Sequence, residues 1–289
     1  AGNDTEGLRY GVIETPEKYF LRWRDPSDAS PEPDQPLLHG LREVCAPARL
    51  LELIHDFTVF DSGTKKICRH NQYEGVKAAH PFVKRGEGGI IWHTQGSGKS
   101  LTMVWLAKWI LEHDARKRVL IITDRVELDE QIEKVFKGVG EDITRSRSGQ
   151  HLIELLQSSD ERLACSLIHK FGRSIDGDVG RYAEEIKKSL PADFDVKGEL
   201  VIFIDECHRT QMGDLHRAMK TILPESTVFI GFTGTPLLKK DKVTSRETFG
   251  RTIHTYKFDE AVRDGVVLDL RYQARDIEQS LTSSEKIDQ

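Results

Sequence analysis

The sequence has 289 residues, and 38% of them are hydrophobic, which is enough for one large globular domain or two small ones. The formal net charge of −5, from 42 basic and 47 acidic residues, argues against a surface that is basic throughout, so any nucleic-acid contact must be local. The four cysteines lack the spacing of a zinc site or a disulfide framework, and no segment offers the roughly 20 apolar residues of a membrane span. We therefore expect a cytoplasmic protein with free thiols.

The first 24 residues carry two short patterns and are followed by a proline-rich segment. Residues 8–14 alternate between apolar and polar side chains, which predicts a strand with no sheet of its own nearby, and residues 16–24 predict a short helix. Residues 25–36 hold four of the ten prolines and no bulky apolar side chain, so they can join neither a helix nor a central strand. We expect a linker over residues 25–40.

The remainder of the chain predicts an α/β domain. Residues 41–57 predict a helix from their apolar spacing, and from about residue 57 short apolar runs alternate with amphipathic helices, which is typical of a mainly parallel sheet in a three-layer fold. The predicted strands, continuous apolar runs of the kind buried on both faces, are residues 89–92, 119–123, 163–168, 200–204 and 228–232. We place the domain at residues 41–264, and the strand-like residues 266–270 indicate that a further unit begins at residue 265.

A glycine-rich loop follows the first of these strands and precedes a helix that we predict over residues 100–113. The loop reads Gly96-Ser97-Gly98-Lys99-Ser100, the core of a P-loop. Its glycines allow backbone N–H groups to turn inward around phosphate oxygens, Lys99 can reach the β- and γ-phosphates, and the Ser100 hydroxyl can bind Mg²⁺. His93 stands where the strict pattern has its first glycine, so the match is partial. The alternative is a glycine turn that holds no ligand.

Two adjacent carboxylates follow the predicted strand at residues 200–204. Ligands of open α/β sheets bind at the carboxyl ends of the strands, which is where Asp205 and Glu206 stand. We expect Asp205 to hold Mg²⁺ and Glu206 to orient and deprotonate the water that attacks the γ-phosphorus of ATP. The alternative is an exposed acidic turn that caps the next helix.

With Cys207 and His208 the acidic pair forms a DECH box, and the sequence as a whole resembles superfamily 2 helicases and translocases. Among them it is similar to the R subunit, which combines motor and restriction activities, of type I restriction-modification enzymes, over about residues 57–275. The segments that carry the resemblance are Arg69-His70-Asn71-Gln72-Tyr73 and residues 92–103, 122–125, 205–209 and 231–237.

The resemblance implies a RecA-like P-loop domain that uses ATP and Mg²⁺ and contacts double-stranded DNA. It implies that Gln72 reads the adenine edge, since a side-chain amide both donates and accepts hydrogen bonds; a surface glutamine without this role is the alternative. The implied ATP site consists of Thr94, Gln95, Gly96, Ser97, Gly98, Lys99 and Ser100, with Lys99, Asp205 and Glu206 as catalytic residues. Thr123, Asp124 and Arg125 match a DNA-backbone motif, and His208, Thr233, Gly234 and Thr235 match residues that couple ATP state to DNA grip.

The resemblance also implies how a larger protein is organised. Residues 1–24 would be the tail of a preceding nuclease domain, residues 25–40 a linker, residues 41–264 the first motor domain, and residues 265–289 the truncated start of a second motor lobe. The paired acids and lysine of the nuclease are not found before the linker. The implied function is ATP-driven translocation of double-stranded DNA that leads to cleavage by a separate domain, with the modification and specificity subunits as partners.

Three other functions are compatible with parts of the sequence. Another superfamily 2 helicase, for example one that acts on RNA, would share the P-loop and the acidic box. A P-loop kinase of a small molecule would share the loop, but the DECH box and residues 233–236 disfavour it. A non-catalytic ATP-binding module is disfavoured because Lys99, Ser100, Asp205 and Glu206 are all present.

Overall fold

The computed structural model describes residues 1–16, 20–24, 35–123, 126–167, 184, 187–188, 190–208, 216–220, 222–235 and 249–269. At the start of the chain, three short strands form an antiparallel sheet, namely β1 (Gly2–Asn3), β2 (Gly7–Tyr10) and β3 (Leu21–Arg22). The strand expected at residues 8–14 therefore exists in shortened form, but the expectation that it has no sheet nearby is wrong. The expected helix at residues 16–24 is also wrong, because residues 21–22 are extended and pair with β2.

Two helices and a hairpin lead to the central domain. Helices α1 (Pro36–Val44) and α2 (Pro47–His55) each begin with a proline, whose missing N–H removes no helical hydrogen bond at that position. The single helix expected over residues 41–57 is wrong for this reason, since Pro47 starts a second one. Helix α1 also begins inside the segment expected to be a linker, of which residues 25–34 lie outside the described chain. The hairpin joins β4 (Thr58–Asp61) to β5 (Thr64–Ile67).

The central domain alternates helices and strands in chain order. Its elements are α3 (His70–Lys84), β6 (Gly89–His93), α4 (Lys99–His113), β7 (Lys117–Thr123), α5 (Val126–Gly138), β8 (Thr144–Arg145), α6 (Gly149–Gln157), β9 (Leu163–Leu167), β10 (Glu199–Ile204), β11 (Val228–Thr233), β12 (Thr252–Tyr256) and α7 (Phe258–Arg263). Its seven described strands form one sheet in the order β12-β6-β11-β10-β7-β9-β8, and every neighbouring pair is parallel.

The sheet separates two hydrophobic clusters. Val201 and Phe203 of β10 point into the cluster that contains side chains of α3, α4 and α5. Leu200, Ile202 and Ile204 point to the opposite side, where α6 and the helical residues 216–220 cover the sheet. Alternate side chains of one strand thus pack into two hydrophobic cores, one on each face of the sheet, which is the three-layer arrangement. The predicted α/β class with a mainly parallel sheet is confirmed.

The two outermost strands of this sheet were not predicted. β8 is two residues long, and β12 reads Thr-Ile-His-Thr-Tyr, so neither is a continuous apolar run. An edge strand has one neighbour and more contact with solvent, so its sequence need not be apolar throughout. The five apolar strands that were predicted are the five between them.

The chain leaves this sheet through α7 without a strand over residues 266–269, and residue 270 onwards lies outside the described part. The strand expected at residues 266–270 is therefore wrong for its described positions. In the part of the chain that the structure describes, none of the helices has the length and apolar character needed to cross a membrane.

Candidate functional site

The loop between β6 and α4 has the backbone of a phosphate-binding turn. Gly96 and Gly98 have φ values of +83° and +87°, a left-handed conformation that residues with a side chain disfavour. Ser97 stabilises the turn through two hydrogen bonds to the carbonyl oxygen of Thr94. Its Oγ donates to that oxygen at 2.6 Å, and its N–H donates to it at 3.2 Å. The local backbone therefore requires the two glycines.

The loop ends at the N-terminus of α4, whose own first turn carries no neutralising side chain. Gly98 is the N-cap of α4 and offers no side-chain hydrogen bond, and the first turn contains no acidic residue. The exposed N–H groups and the helix dipole leave partial positive charge at this end, beside the Lys99 ammonium group. The neighbouring strand end also leaves room for it, since a Cβ on Gly234 would lie 2.7 Å from Lys99 Nζ. This end of α4 fits the phosphates of a nucleotide.

The acidic pair lies two strands away from the loop, at the same edge of the sheet. β11 separates β10 from β6, so the carboxyl ends of three neighbouring strands meet beside the P-loop. Asp205 is 7% exposed, and its Oδ1 accepts the N–H of Glu206 at 3.0 Å. Glu206 has a φ of +49°. The predicted convergence of the two motifs follows from the parallel strand order.

A chain of contacts connects the three motifs. Lys99 Nζ lies 3.8 Å from Glu206 Oε1, and the other oxygen of Glu206 lies 3.3 Å from Nδ1 of His208. The same ring nitrogen of His208 is 2.9 Å from Oγ1 of Thr233, which accepts the N–H of Thr235 at 3.2 Å. The P-loop, the acidic box and the segment after β11 are therefore in direct contact.

The first turn of α3 lies against the P-loop. Gln72 Nε2 donates to the carbonyl oxygen of Gly98 at 2.9 Å, while Gln72 Oε1 accepts the N–H of Arg69 at 2.8 Å. Asn71 Nδ2 is 3.5 Å from the carbonyl oxygen of Ser97. Both amide side chains are almost fully buried, at 1% exposure for Asn71 and 2% for Gln72. Gln72 thus lies beneath the loop in this structure and is not on the surface.

His93, which departs from the strict loop pattern, belongs to a buried pair. Its Nε2 lies 2.8 Å from Nδ1 of His254 on β12, and the two rings pack edge to face. Burial, with His254 and Lys99 nearby, holds the pKa of His93 well below its usual value. Gly75 of α3 makes room for this ring, since a Cβ there would lie 2.8 Å from His93 Cε1.

A second polar cluster joins the N-terminal segment to the end of α7. Asp264 accepts a hydrogen bond from Arg24 at 2.7 Å and from the Tyr256 hydroxyl at 2.8 Å, and it lies 3.1 Å from His70 Nε2. Burial alone would raise the pKa of this carboxyl group, but the hydrogen bonds from His70 and Tyr256 lower it below its usual value. His70 directly precedes Asn71, so this cluster adjoins the turn that supports the P-loop.

The family profile described as SWI2/SNF2 ATPase matches residues 71–289, which include the loop, the acidic box and the segment after β11. The chain belongs to the SWI2/SNF2 ATPase family. The candidate site of this SWI2/SNF2 ATPase domain is the edge of the sheet at which Lys99, Glu206, His208 and Thr233 meet. The RecA-like, mainly parallel fold expected from the sequence agrees with that membership.

Named relatives of this SWI2/SNF2 ATPase chain come from restriction systems. It is 33% identical over 246 residues to a Methanocaldococcus jannaschii protein provisionally named as the endonuclease subunit of type I restriction enzyme MjaIXP, covering 81% of this chain and 22% of that protein. It is 30% identical over 264 residues to the HindI type I restriction enzyme endonuclease subunit of Haemophilus influenzae, covering 82% of this chain and 24% of that protein. The chain thus spans about a quarter of the length of these relatives. The predicted resemblance to this group is confirmed.

Among solved structures, the Sulfolobus solfataricus SWI2/SNF2 ATPase core in complex with double-stranded DNA is 16% identical, with a TM-score of 0.49 over 68% of this chain and 37% of that one.

Of the three residues predicted to contact the DNA backbone, the structure describes one. Thr123 ends β7 and is fully buried, and Asp124 and Arg125 lie outside the described residues. Sequence reasoning singled out Gln72 of the α3 turn but missed Arg69 and Asn71, although the resemblance quoted both. It also missed His254, for which the sequence offers no signal, because a histidine in a short polar strand has no distinctive spacing.

Proposed function

We propose that this chain is the first motor lobe of a type I restriction enzyme R subunit, which hydrolyses ATP to move along double-stranded DNA while a separate domain cuts it. The observation that carries the proposal is the contact chain from Lys99 through Glu206 and His208 to Thr233. A motor must transmit the state of its phosphate site to the parts that grip DNA, and this chain of contacts provides such a route.

The residues at the sheet edge are suited to hold ATP and Mg²⁺. In the structure Lys99 faces Glu206. When ATP binds, we expect the Lys99 ammonium group to leave that carboxylate and contact the β- and γ-phosphates. The loop residues Thr94, Gln95, Gly96, Ser97 and Gly98 would surround the phosphates, and the N–H group of Gly98 would donate to their oxygens. The N–H groups of Thr94 and Ser97 already donate to the carbonyl oxygens of Tyr256 and Thr94. Ser100 and Asp205 would supply oxygen ligands to Mg²⁺, which neutralises charge on the β- and γ-phosphates when bound.

Glu206 is the proposed catalytic base. Its carboxylate would orient a water molecule, accept one of its protons, and allow the oxygen to bond to the γ-phosphorus as the bond to ADP breaks. Gln72 stays a candidate reader of adenine, since each of its amide atoms can form one further hydrogen bond. An arginine that stabilises the transition state is expected from the second motor lobe.

The remaining assignments concern transmission and partners. We propose that His208, Thr233, Gly234 and Thr235 couple ATP state to DNA grip. We also propose that Thr123, Asp124 and Arg125 contact the DNA backbone. Because the Thr123 side chain is buried, this residue would act through its main-chain atoms. We propose the domain boundaries expected from the sequence, which are residues 1–24, 25–40, 41–264 and 265–289. In the intact subunit, the modification and specificity subunits would select the DNA site.

ATP turnover of the intact subunit tests this function. We expect duplex DNA to stimulate turnover and RNA to leave it unchanged. Lys99→Ala should abolish nucleotide binding or turnover, because it removes the side-chain cation of the loop. The matched control is Lys108→Ala on the same helix, a lysine that pairs with Glu141 and not with the site.

Other outcomes would point elsewhere. Unchanged ATPase activity in the Lys99→Ala protein would refute the P-loop assignment. Stimulation by RNA in place of duplex DNA would favour another helicase, and indifference to any nucleic acid would favour a small-molecule kinase. We expect residues 1–289 alone to bind nucleotide weakly but neither to move along DNA nor to cut it, so DNA-stimulated turnover by this chain would contradict the one-lobe assignment.

A further inference from the structure

Three side chains from one helical turn face three successive carbonyl groups of the P-loop. The guanidinium group of Arg69 lies 3.4 Å from the carbonyl oxygen of Gly96, Asn71 Nδ2 lies 3.5 Å from that of Ser97, and Gln72 Nε2 lies 2.9 Å from that of Gly98. We call this turn, residues 69–72, the loop clamp. All three side chains act as donors, so the clamp matches the acceptors that the loop turns toward α3.

The orientation of these carbonyl groups fixes the orientation of the neighbouring N–H groups. A trans peptide is planar, and its C=O and N–H bonds point in opposite directions. A Ser97 carbonyl held toward Asn71 therefore turns the N–H of Gly98 away from α3, and a Gly98 carbonyl held toward Gln72 does the same for the N–H of Lys99. These are the N–H groups that a P-loop offers to phosphate oxygens.

The contribution of the clamp differs between these two peptides. The Gly98 carbonyl oxygen also accepts the N–H of Thr102 at 3.2 Å, so α4 itself helps to orient it. The Ser97 carbonyl stands ahead of the helix, and there the side-chain donor is Asn71. Asn71 is consequently the clamp residue on which the loop conformation depends most.

The packing at Asn71 indicates a dedicated role. The residue is 1% exposed, and its Oδ1 has no hydrogen-bond partner although it is buried. A buried amide oxygen without a partner is destabilising, so the residue is not explained by its contribution to stability. The loop and the clamp also approach each other closely, since a Cβ on Gly98 would collide with Gln72 Nε2.

We propose that Asn71 is a positioning residue for nucleotide binding, one that holds the Ser97 peptide so that the Gly98 N–H faces the phosphates. This inference rests on the proposed function, because it presupposes that the loop binds ATP. Asn71 would act by holding the loop and would not contact the nucleotide itself.

The test measures binding of ATP, ADP and AMP to the 289-residue chain. Asn71→Asp keeps the shape of the side chain but replaces the donor by an acceptor that repels the Ser97 carbonyl. We expect affinity for ATP and ADP to fall about tenfold, and affinity for AMP, which lacks the β- and γ-phosphates, to stay the same. The matched control is Gln157→Glu, because Gln157 also donates to a backbone carbonyl, that of Asp193 at 3.5 Å, but far from the site.

The outcomes separate the inference from the proposed function. Unchanged ATP affinity in Asn71→Asp would overturn the inference while leaving ATP binding established. An equal loss for ATP, ADP and AMP would assign Asn71 a general structural role and also overturn it. A parent chain that does not bind ATP would overturn both. If Asn71→Asp does not fold, judged by its melting temperature without nucleotide, Asn71→Ala removes the donor without adding charge and must show the same phosphate-dependent loss.

Discussion

At the scale of single residues, Glu206 is held in a backbone conformation that its residue type disfavours. Its φ is +49°, and among the described non-glycine residues only Glu14 and Ser62 also have a positive φ. Such a conformation costs about 1 kcal/mol or more, so neighbouring contacts must maintain it. The preceding N–H, of Asp205, donates to Ile122, and the following N–H, of Cys207, donates to Phe232, each at 3.0 Å. The bond from Cys207 fixes the peptide that follows the proposed base, and the bond from Asp205 fixes the backbone one residue before it.

Glu206→Gln separates binding from hydrolysis. The substitution keeps the shape of the side chain but removes the group that accepts a proton, so we expect ATP affinity close to that of the parent and turnover lower by about 10² or more. Single-turnover hydrolysis and nucleotide binding of the intact subunit measure the two effects. Glu199→Gln, at the opposite end of β10, is the control and should leave both unchanged. Loss of ATP affinity in Glu206→Gln would instead indicate that the Glu206 side chain takes part in binding ATP.

Single residues also show what sequence reasoning can and cannot reach. The meeting of Lys99 with Glu206 was predictable, because parallel strands bring their carboxyl ends to one edge of a sheet. The role inferred for Asn71 was not, since it depends on the position of α3 relative to the loop. No local pattern encodes that position, and a buried asparagine at a helix start looks like any other polar residue.

At the scale of elements, α3 and β6 fit each other through one glycine and one histidine. His93 occupies a position that is glycine in the strict loop pattern, and its ring lies where a side chain on Gly75 would otherwise be. A helix disfavours glycine by about 1 kcal/mol relative to alanine, so Gly75 is explained by this contact and not by helix formation. The departure from the loop pattern is thus compensated on the neighbouring helix.

Gly75→Ala tests that fit. We expect it to destabilise the fold by about 1–3 kcal/mol in urea unfolding, because the added Cβ overlaps a buried ring. In a His93→Ala background the same substitution should cost clearly less, since the obstructing ring is gone. Gly138→Ala is the control: its Cβ meets the ends of the Asp61 and Ser62 side chains, which can rotate away, so its cost should be small and equal in both backgrounds. Additive effects of Gly75→Ala and His93→Ala would refute the explanation.

The strands illustrate the limit of pattern reasoning at this scale. The five inner strands are apolar on both faces and were predicted, whereas β8 and β12 have a solvated side and short or polar sequences. Yet β12 supplies His254 and Tyr256 beside the P-loop strand. A strand whose register is set by tertiary pairing leaves little trace in local composition.

At the scale of the whole molecule, several histidines are buried in the neutral form. Burial lowers the pKa of His216 to about 3 and that of His254 to about 4. In the unfolded chain a histidine has a pKa of about 6.5. The unfolded state therefore binds protons between these values that the folded state does not. The stability that these residues provide is complete above pH 6.5 and is lost as the pH falls from there toward pH 4.

We expect the urea midpoint of the chain to fall between pH 7 and pH 5. Protonation of His216 in the unfolded state should lower the free energy of unfolding by up to about 1.4 kcal/mol for each pH unit below 6.5, and this is the contribution of His216 to the pH dependence. His216→Phe removes that contribution while filling similar space, because the ring packs against Phe229 and Phe249 at 4.4 and 4.5 Å between ring centroids. The variant should therefore have a flatter pH dependence than the parent. Parallel curves for the two proteins would show that folding does not lower the pKa of His216.

The hydrogen bond between Arg24 and Asp264 joins positions that are 240 residues apart in the chain. Closing so long a loop costs more conformational entropy than pairing neighbouring strands, and the contact stabilises nothing until the sheet between its ends has formed. We therefore expect it to be among the last contacts made during folding, with the segment before residue 25 docking onto a sheet that is already complete. The reverse order applies to spontaneous opening, so amide hydrogens of β2 should exchange with solvent before those of β10.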